Sequence, residues 1–299
     1  MPVDPIGSSQ LVSELRQRVR TVDLLVLAAV PIVLVGVFLT PTALRRRFLF
    51  EYTDPALPAA FISALVHLDG THLLVNVVTY GLVVPVVFVL ELLGGNRARF
   101  YRTFLVFVTL VPLVLSYSNL AAPRPAVGYG FSGVVMAFAG YLPFALAAFA
   151  ETRLEIGSKS SLAPVLFFPT LGLVCVLSLR PVILRNTTVL VGAGGLVVVT
   201  LLSTLLFAVS AYEGGAVSRH RLSRALSLGG YCDLALVGLV LVATLPFVAF
   251  PAEPGSLEGT ANLYVHLFGY ALGFTAIYSY SEIQSRHSPE ASGTGAHSH

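Results

Sequence analysis

Charge is scarce in this chain. Only 11% of its 299 residues are Asp, Glu, Lys or Arg, against about 25% in a soluble globular domain, and so few cannot clothe a water-facing surface. Tryptophan is absent and there are two cysteines. Cys175 and Cys232 lie within or at the edge of apolar runs and match no disulfide or metal-ligand spacing, which speaks against redox chemistry and leaves the compartment open. The formal net charge is +3, and the arginines come in short clusters rather than one basic patch, so nucleic acid is excluded as a partner. The chain has no His-Glu-x-x-His pattern for zinc and no pair of aspartates inside apolar runs, which argues against the zinc and paired-aspartate membrane-protease chemistries; no metal or cofactor is expected.

What is present is apolar sequence, 56% of the whole. Unbroken runs of about 17 to 25 residues match the thickness of a bilayer rather than the period of a soluble core. Eight such runs can be drawn, at 23–40, 72–93, 102–118, 131–150, 163–179, 188–211, 231–250 and 260–281. The expected fold is an all-α polytopic membrane protein of about eight transmembrane helices. Residues 1–22 form a cytoplasmic N-terminal segment with no cleavage site, 23–283 the transmembrane domain, and 284–299 a polar, disordered tail. With an even number of spans both termini share a side, and placing them in the cytoplasm puts 12 of the 18 Lys and Arg residues inside. The run Arg45-Arg46-Arg47 opposes that orientation. The 41–71 loop contains apolar stretches suited to the membrane interface, and 212–230 reads equally as a short interfacial helix or a solvated loop. No inverted repeat of broken helices is visible, which counts against transport.

A polar group inside a span costs free energy and needs a reason, about 2–3 kcal/mol for a charge at mid-membrane on insertion scales. His67, His72 and Asn76 enter the second run, with His72 and Asn76 four residues apart on one helical face. Gly128-Tyr-Gly-Phe-Ser132-Gly133 opens the fourth run. Its serine falls in a first helical turn, where unpaired N–H groups favour an anion, and glycines let another backbone approach. In the last run, Gly269 and Gly273 share the face of His266 and leave it smooth. Gly133, Ala137 and Gly140 form a matching stripe, so the two runs are expected to pack closely and bring Ser132 to His266 at similar depth. Taken singly, a serine in a span usually bonds the carbonyl one turn back and a histidine usually serves packing. Their conjunction carries the signal. Glu91, at the opposite end of its run, reads as a structural partner for a nearby arginine or for helix N–H groups rather than as an acid catalyst. Val127-Gly-Tyr-Gly130 imitates a potassium-channel filter, but the preceding Ala121-Ala-Pro-Arg-Pro-Ala126 cannot be a pore helix.

These residues resemble the rhomboid family of intramembrane serine proteases. The family's His-x-x-x-x-His-x-x-x-Asn is matched by His67, His72 and Asn76, its Gly-x-Ser-Gly by Gly130, Ser132 and Gly133, and its His-x-x-Gly-x-x-x-Gly by His266, Gly269 and Gly273, in family order. The resemblance covers about residues 55–150 and 260–281. It implies a rhomboid-like bundle of six core helices, with two extra within about 163–250, and a serine endopeptidase that cuts transmembrane protein substrates. Ser132 would be the nucleophile, His266 the general base and acid, and His72 and Asn76 donors to the oxyanion. The rival expectation is an inactive rhomboid-like protein that binds transmembrane clients for sorting or degradation. Three departures are visible. Met136 stands where members commonly carry a tyrosine that stacks on the histidine, leaving Tyr264, Tyr270 or Phe131 to orient His266. Ala59 and Ala60 occupy the place of a usual Trp-Arg pair. Three runs, rather than one, separate the serine from the histidine. Substrate, process, gating span and oligomeric state are not legible.

Overall fold

The structure, a computed structural model, describes residues 5–121, 125–183, 186–213, 219–250 and 263–287. Helix α1 (Pro5–Arg18) precedes α2 (Thr21–Phe38) and the short α3 (Thr42–Arg46). Strand β1 (Phe50–Glu51), α4 (Leu57–Ile62) and a 3-10 turn lead to α5 (Gly70–Leu93), followed by α6 (Arg97–Thr109) and α7 (Val111–Ser118). Strand β2 (Val127–Gly128) precedes α8 (Ser132–Arg153), α9 (Lys159–Ile183), α10 (Thr187–Glu213), α11 (Arg219–Leu226), α12 (Gly229–Ala249) and α13 (Leu263–His287).

Among the described residues, seven helices are long and apolar enough to cross a bilayer, counting α6 and α7 together as Arg97–Ala121. The chain is a multi-pass, all-α membrane protein. The break at Leu110 follows from Pro112, which has no N–H to donate to the preceding turn and sits instead in the first turn of α7, where none is needed. The eighth expected span, α13, is a 25-residue helix but is not among the seven. His266, Tyr264, Tyr278, Tyr280 and Glu282 dilute its apolar run, and packing along α8 replaces lipid with protein on one of its faces.

Helix α8 is the centre of the bundle. Of its most apolar stretch 94% is buried, against 11% for α2 and for α10, and it packs on α5, α9, α12 and α13. Alanines and glycines dominate its sequence, so neighbouring backbones can come close on several sides. Helix α10 lies against α9 and presents Leu202, Leu205 and Leu206 outward. That is an ordinary lipid-facing surface.

Polar contacts gather at one end of the bundle. Glu14 of α1 pairs with Arg18 at 2.9 Å and with Arg153 at the end of α8, and accepts from the hydroxyl of Tyr231 at the start of α12. Asp23 holds Arg97 at 2.9 Å and the hydroxyl of Tyr101. Glu91 is buried against Arg99 at 2.8 Å, the structural pairing expected for it. Ser160 of α9 donates to Glu282 of α13 at 2.6 Å. Chain ends from α1, α2, α5, α6, α8, α9, α12 and α13 therefore meet at the Arg153 end, as alternating spans require. Ser132 lies at the other end of α8, roughly 30 Å away at 1.5 Å per residue.

The 41–71 loop folds onto that far end. Ala59 and Ala60 of α4 are buried with Phe50 and Tyr52, and Ser116 of α7 donates to Ala60 O at 2.7 Å. Segment 212–230 contains the helix α11, which favours the helical reading over the loop. The N-terminal segment is largely helical, and α13 runs through Gln284–His287 of the expected tail, whose remainder lies outside the described residues.

Candidate active site

Asp69 caps α5, accepting from the backbone N–H groups of Thr71 and His72 at 2.8 and 3.0 Å. An aspartate here satisfies two orphan donors and fixes where the helix starts. His72 consequently lies in the first turn and Asn76 one turn deeper. The Asn76 Nδ2 group donates to the His72 carbonyl at 3.1 Å and contacts His67 Nε2 at 2.9 Å. Because a carbonyl can only accept, Nδ2 is the amine, and its second hydrogen makes His67 Nε2 an acceptor. The two imidazoles lie edge to face with centroids 5.0 Å apart.

His67 is fully buried. Removal from water, with smaller contributions from His72 and Arg45, lowers its pKa to about 4, so it is neutral at physiological pH. Arg45 holds this turn in place. It donates to the His67 carbonyl, bonds Thr42 Oγ1 at 2.9 Å, and lies over the Phe38 ring at 4.5 Å. The arginine that opposed the charge bias is thus a buried strut.

The serine turn is held by the same residues. Strand β2 pairs antiparallel with β1, Gly128 opposite Phe50, and Gly130 N–H donates to Ser63 O at 2.9 Å. Gly130 has φ +97, and a Cβ there would come within 2.7 Å of His72 Cε1. Only glycine satisfies both constraints. Ser132, half-buried, is the first residue of α8, so its N–H and that of Gly133 have no intrahelical carbonyl to bond.

Helix α13 closes the site. A Cβ on Gly269 would overlap the Gly133 carbonyl, one on Gly273 the Ala137 carbonyl, and one on Gly140 the Tyr270 carbonyl. The two small-residue stripes meet as their spacing predicts. Residue numbers rise together along the contact, so α8 and α13 run parallel. Continued upward, the same register sets His266 level with the Gly130–Ser132 turn, and its neighbour Val265 sits where a Cβ on Gly133 would meet it at 2.6 Å.

The orientation of His266 differs from expectation. Tyr264 stacks on Phe268, Tyr270 bonds Thr170 and stacks on Phe167, and Phe131 packs toward Tyr80. Their rings are committed elsewhere. His266 Nδ1 instead lies 2.9 Å from the carbonyl of Ala249, the last residue of α12, with the Phe250 ring edge-on at 5.7 Å. Since the carbonyl accepts, Nδ1 carries the proton and Nε2 keeps its lone pair. Among the described residues, Ser132 and His266 make no direct hydrogen bond, and no group of three His, Cys, Asp or Glu side chains is arranged to hold a metal ion.

The structure thus sets the first turns of α5 and α13 against that of α8, with His72, His266 and Ser132 on them and Asn76 one turn deeper in α5. Sequence reasoning missed Arg45 and Ala249. The first was signalled by a basic residue on the wrong side of the charge bias. A backbone carbonyl leaves no signal at all.

No protein-family model, curated protein or solved structure matches the chain.

Proposed function

We propose that this protein is an intramembrane serine endopeptidase, similar to the rhomboid type, that hydrolyses peptide bonds in or near transmembrane segments of other membrane proteins. The observation that carries the reading is the parallel, glycine-on-backbone contact of α8 and α13, which leaves a serine and a histidine at a similar level in two adjoining first turns. A helix pair packed only for stability has no need of either group there.

Ser132 Oγ attacks the scissile carbonyl carbon and passes its proton to His266 Nε2. Negative charge on the carbonyl oxygen is met by the N–H groups of Ser132 and Gly133 at the positive end of α8, and by the His72 imidazole. Asn76 joins them by releasing its 3.1 Å bond to the His72 carbonyl, which the α5 ladder satisfies in any case. His266 then returns the proton to the leaving amine as the C–N bond breaks. Water, activated by the same Nε2, hydrolyses the acyl-enzyme. The dyad works without an aspartate, as a neutral imidazole with a fixed tautomer requires only an acceptor at Nδ1. The cell membrane, with both termini in the cytoplasm, is the proposed location.

The test is cleavage of a transmembrane substrate with helix-breaking residues near one end by the wild-type chain in liposomes, beside Ser132→Ala and His266→Ala. Cleavage lost in both variants supports the dyad. A second reading, binding of transmembrane clients without cleavage, is favoured by the missing Ser132–His266 hydrogen bond and by Met136. It takes over if the wild type neither cleaves a diverse substrate panel nor labels at Ser132 with a fluorophosphonate.

A further inference from the structure

Helix α12 lies outside the residues on which the resemblance rests, yet its last turn reaches the site. Its carbonyls have no intrahelical donors at that end, and the one on Ala249 is turned to His266 Nδ1 at 2.9 Å. The rest of the helix fixes where that carbonyl stands. Gly238 packs on Leu146 of α8 and Leu90 of α5, and Tyr231 at the opposite end donates to Glu14 beside Arg153. Phe250 caps the arrangement, its N–H bonded to Pro246 O at 3.0 Å and its ring edge-on to the imidazole. Phe250 is itself buried.

We infer that the Ala249 carbonyl is the positioning partner of His266, holding the imidazole as its Nδ1–H tautomer with Nε2 basic and turned toward Ser132. The inference rests on the dyad reading for its consequence but not for its geometry. A backbone acceptor does here what a carboxylate does in a triad. It fixes the ring and the tautomer, and it carries no charge, so the imidazolium formed during reaction gains less stabilisation. Such a base is held in place rather than strengthened. Because α12 is pinned at its far end to α1, a displacement of that helix changes the orientation of His266 without touching Ser132.

The experiment is imidazole nitrogen NMR on the full-length protein in bilayers, with histidines labelled and the His266 signals identified by their loss in His266→Gln. The wild type is expected to show His266 protonated at Nδ1 and unprotonated at Nε2 at neutral pH. Placing the hydroxy-acid analogue of phenylalanine at position 250 turns the 249–250 amide into an ester, whose carbonyl is a weaker acceptor. Inserting one alanine before Ala249 turns the helix end by about 100° and serves if the ester variant does not fold. Either change is expected to shift the His266 signals toward a tautomer mixture and to lower kcat roughly ten- to a hundred-fold with KM little changed, the cost of a slightly misplaced catalytic group. Wild-type signals showing Nε2 protonated, or ester and insertion variants with unaltered signals, overturn the inference. The expected tautomer and its shift in a chain that cleaves nothing would sustain the positioning contact while removing the peptidase reading.

Discussion

The Cα of Gly273 in α13 rests against the carbonyl of Ala137 in α8, at a distance that leaves no room for a side chain. One turn earlier Gly269 makes the same approach to Gly133. These two contacts set the spacing between the helices that carry Ser132 and His266, and the predictions below begin from them.

Gly273→Val is expected to force α8 and α13 apart and abolish both a sharp thermal transition and cleavage, because the obstructing atom is backbone and cannot rotate away. Gly192→Ala on the outer face of α10, where a Cβ meets nothing within 4 Å, should leave the protein unchanged or up to about 1 kcal/mol more stable. Thermal unfolding in detergent compares the two. Equal behaviour of both variants would remove the packing argument.

Arg45→Met takes away the donor to the His67 carbonyl while leaving an apolar stem over Phe38. We expect a loss of about 1–3 kcal/mol in stability and a larger proportional loss of activity, since the freed turn carries His67 and leads into His72. Arg45→Lys should recover little, because an ammonium cannot reproduce the planar fork that reaches His67 and Thr42 together. Activity per folded molecule, measured at a temperature where all variants are folded, checks this.

Glu91→Gln leaves Arg99 charged and only partly exposed beside an uncharged partner, a change expected to cost a few kcal/mol, toward the lower end of the about 3–5 kcal/mol typical of a fully buried pair. Replacing both residues by leucine should cost less than the single substitution. Cleavage per folded molecule should be unaffected by either, because the pair lies at the Arg153 end of the bundle. A kcat that falls with Glu91→Gln at full folding would give the carboxylate a role that its position argues against.

His67 supplies a pH dependence. Its folded pKa of about 4 lies below the ordinary value near 6.5, so the unfolded chain binds the proton more tightly. The stabilisation is complete above pH 6.5 and is lost as pH falls through 4, up to about 3 kcal/mol. The facing groups are His72, Arg45 and the neutral Asn76, and none offers a negative charge to offset protonation. Thermal midpoints at pH 7 and pH 5 should diverge more in the wild type than in His67→Gln. Equal pH dependence in the two would assign the effect to another group.

The membrane-spanning character of this chain, its span limits to within a few residues, and the pairing of the α8 and α13 stripes were legible in the sequence, because run length and helical spacing depend on neighbours along the chain. Glu91 was legible in part: a carboxylate at the end of a span needs a cation or N–H donors, and the fold supplies Arg99. The orientation of His266 was not. Tyr264, Tyr270 and Phe131 were reasonable candidates, yet each ring is claimed elsewhere, Tyr264 by Phe268 one turn along its own helix and the other two by partners on other helices. Arg45 was not singled out either, since what matters is reach to the His67 carbonyl in space. The eighth expected run, α13, falls outside the seven because polar residues such as His266, Tyr278 and Glu282 dilute its hydropathy. By itself the sequence determined which long apolar runs are helical and which of their faces can touch. Only the tertiary structure decided which backbone carbonyl meets the histidine, because a main-chain acceptor is the same at every residue and becomes particular only through where the fold puts it.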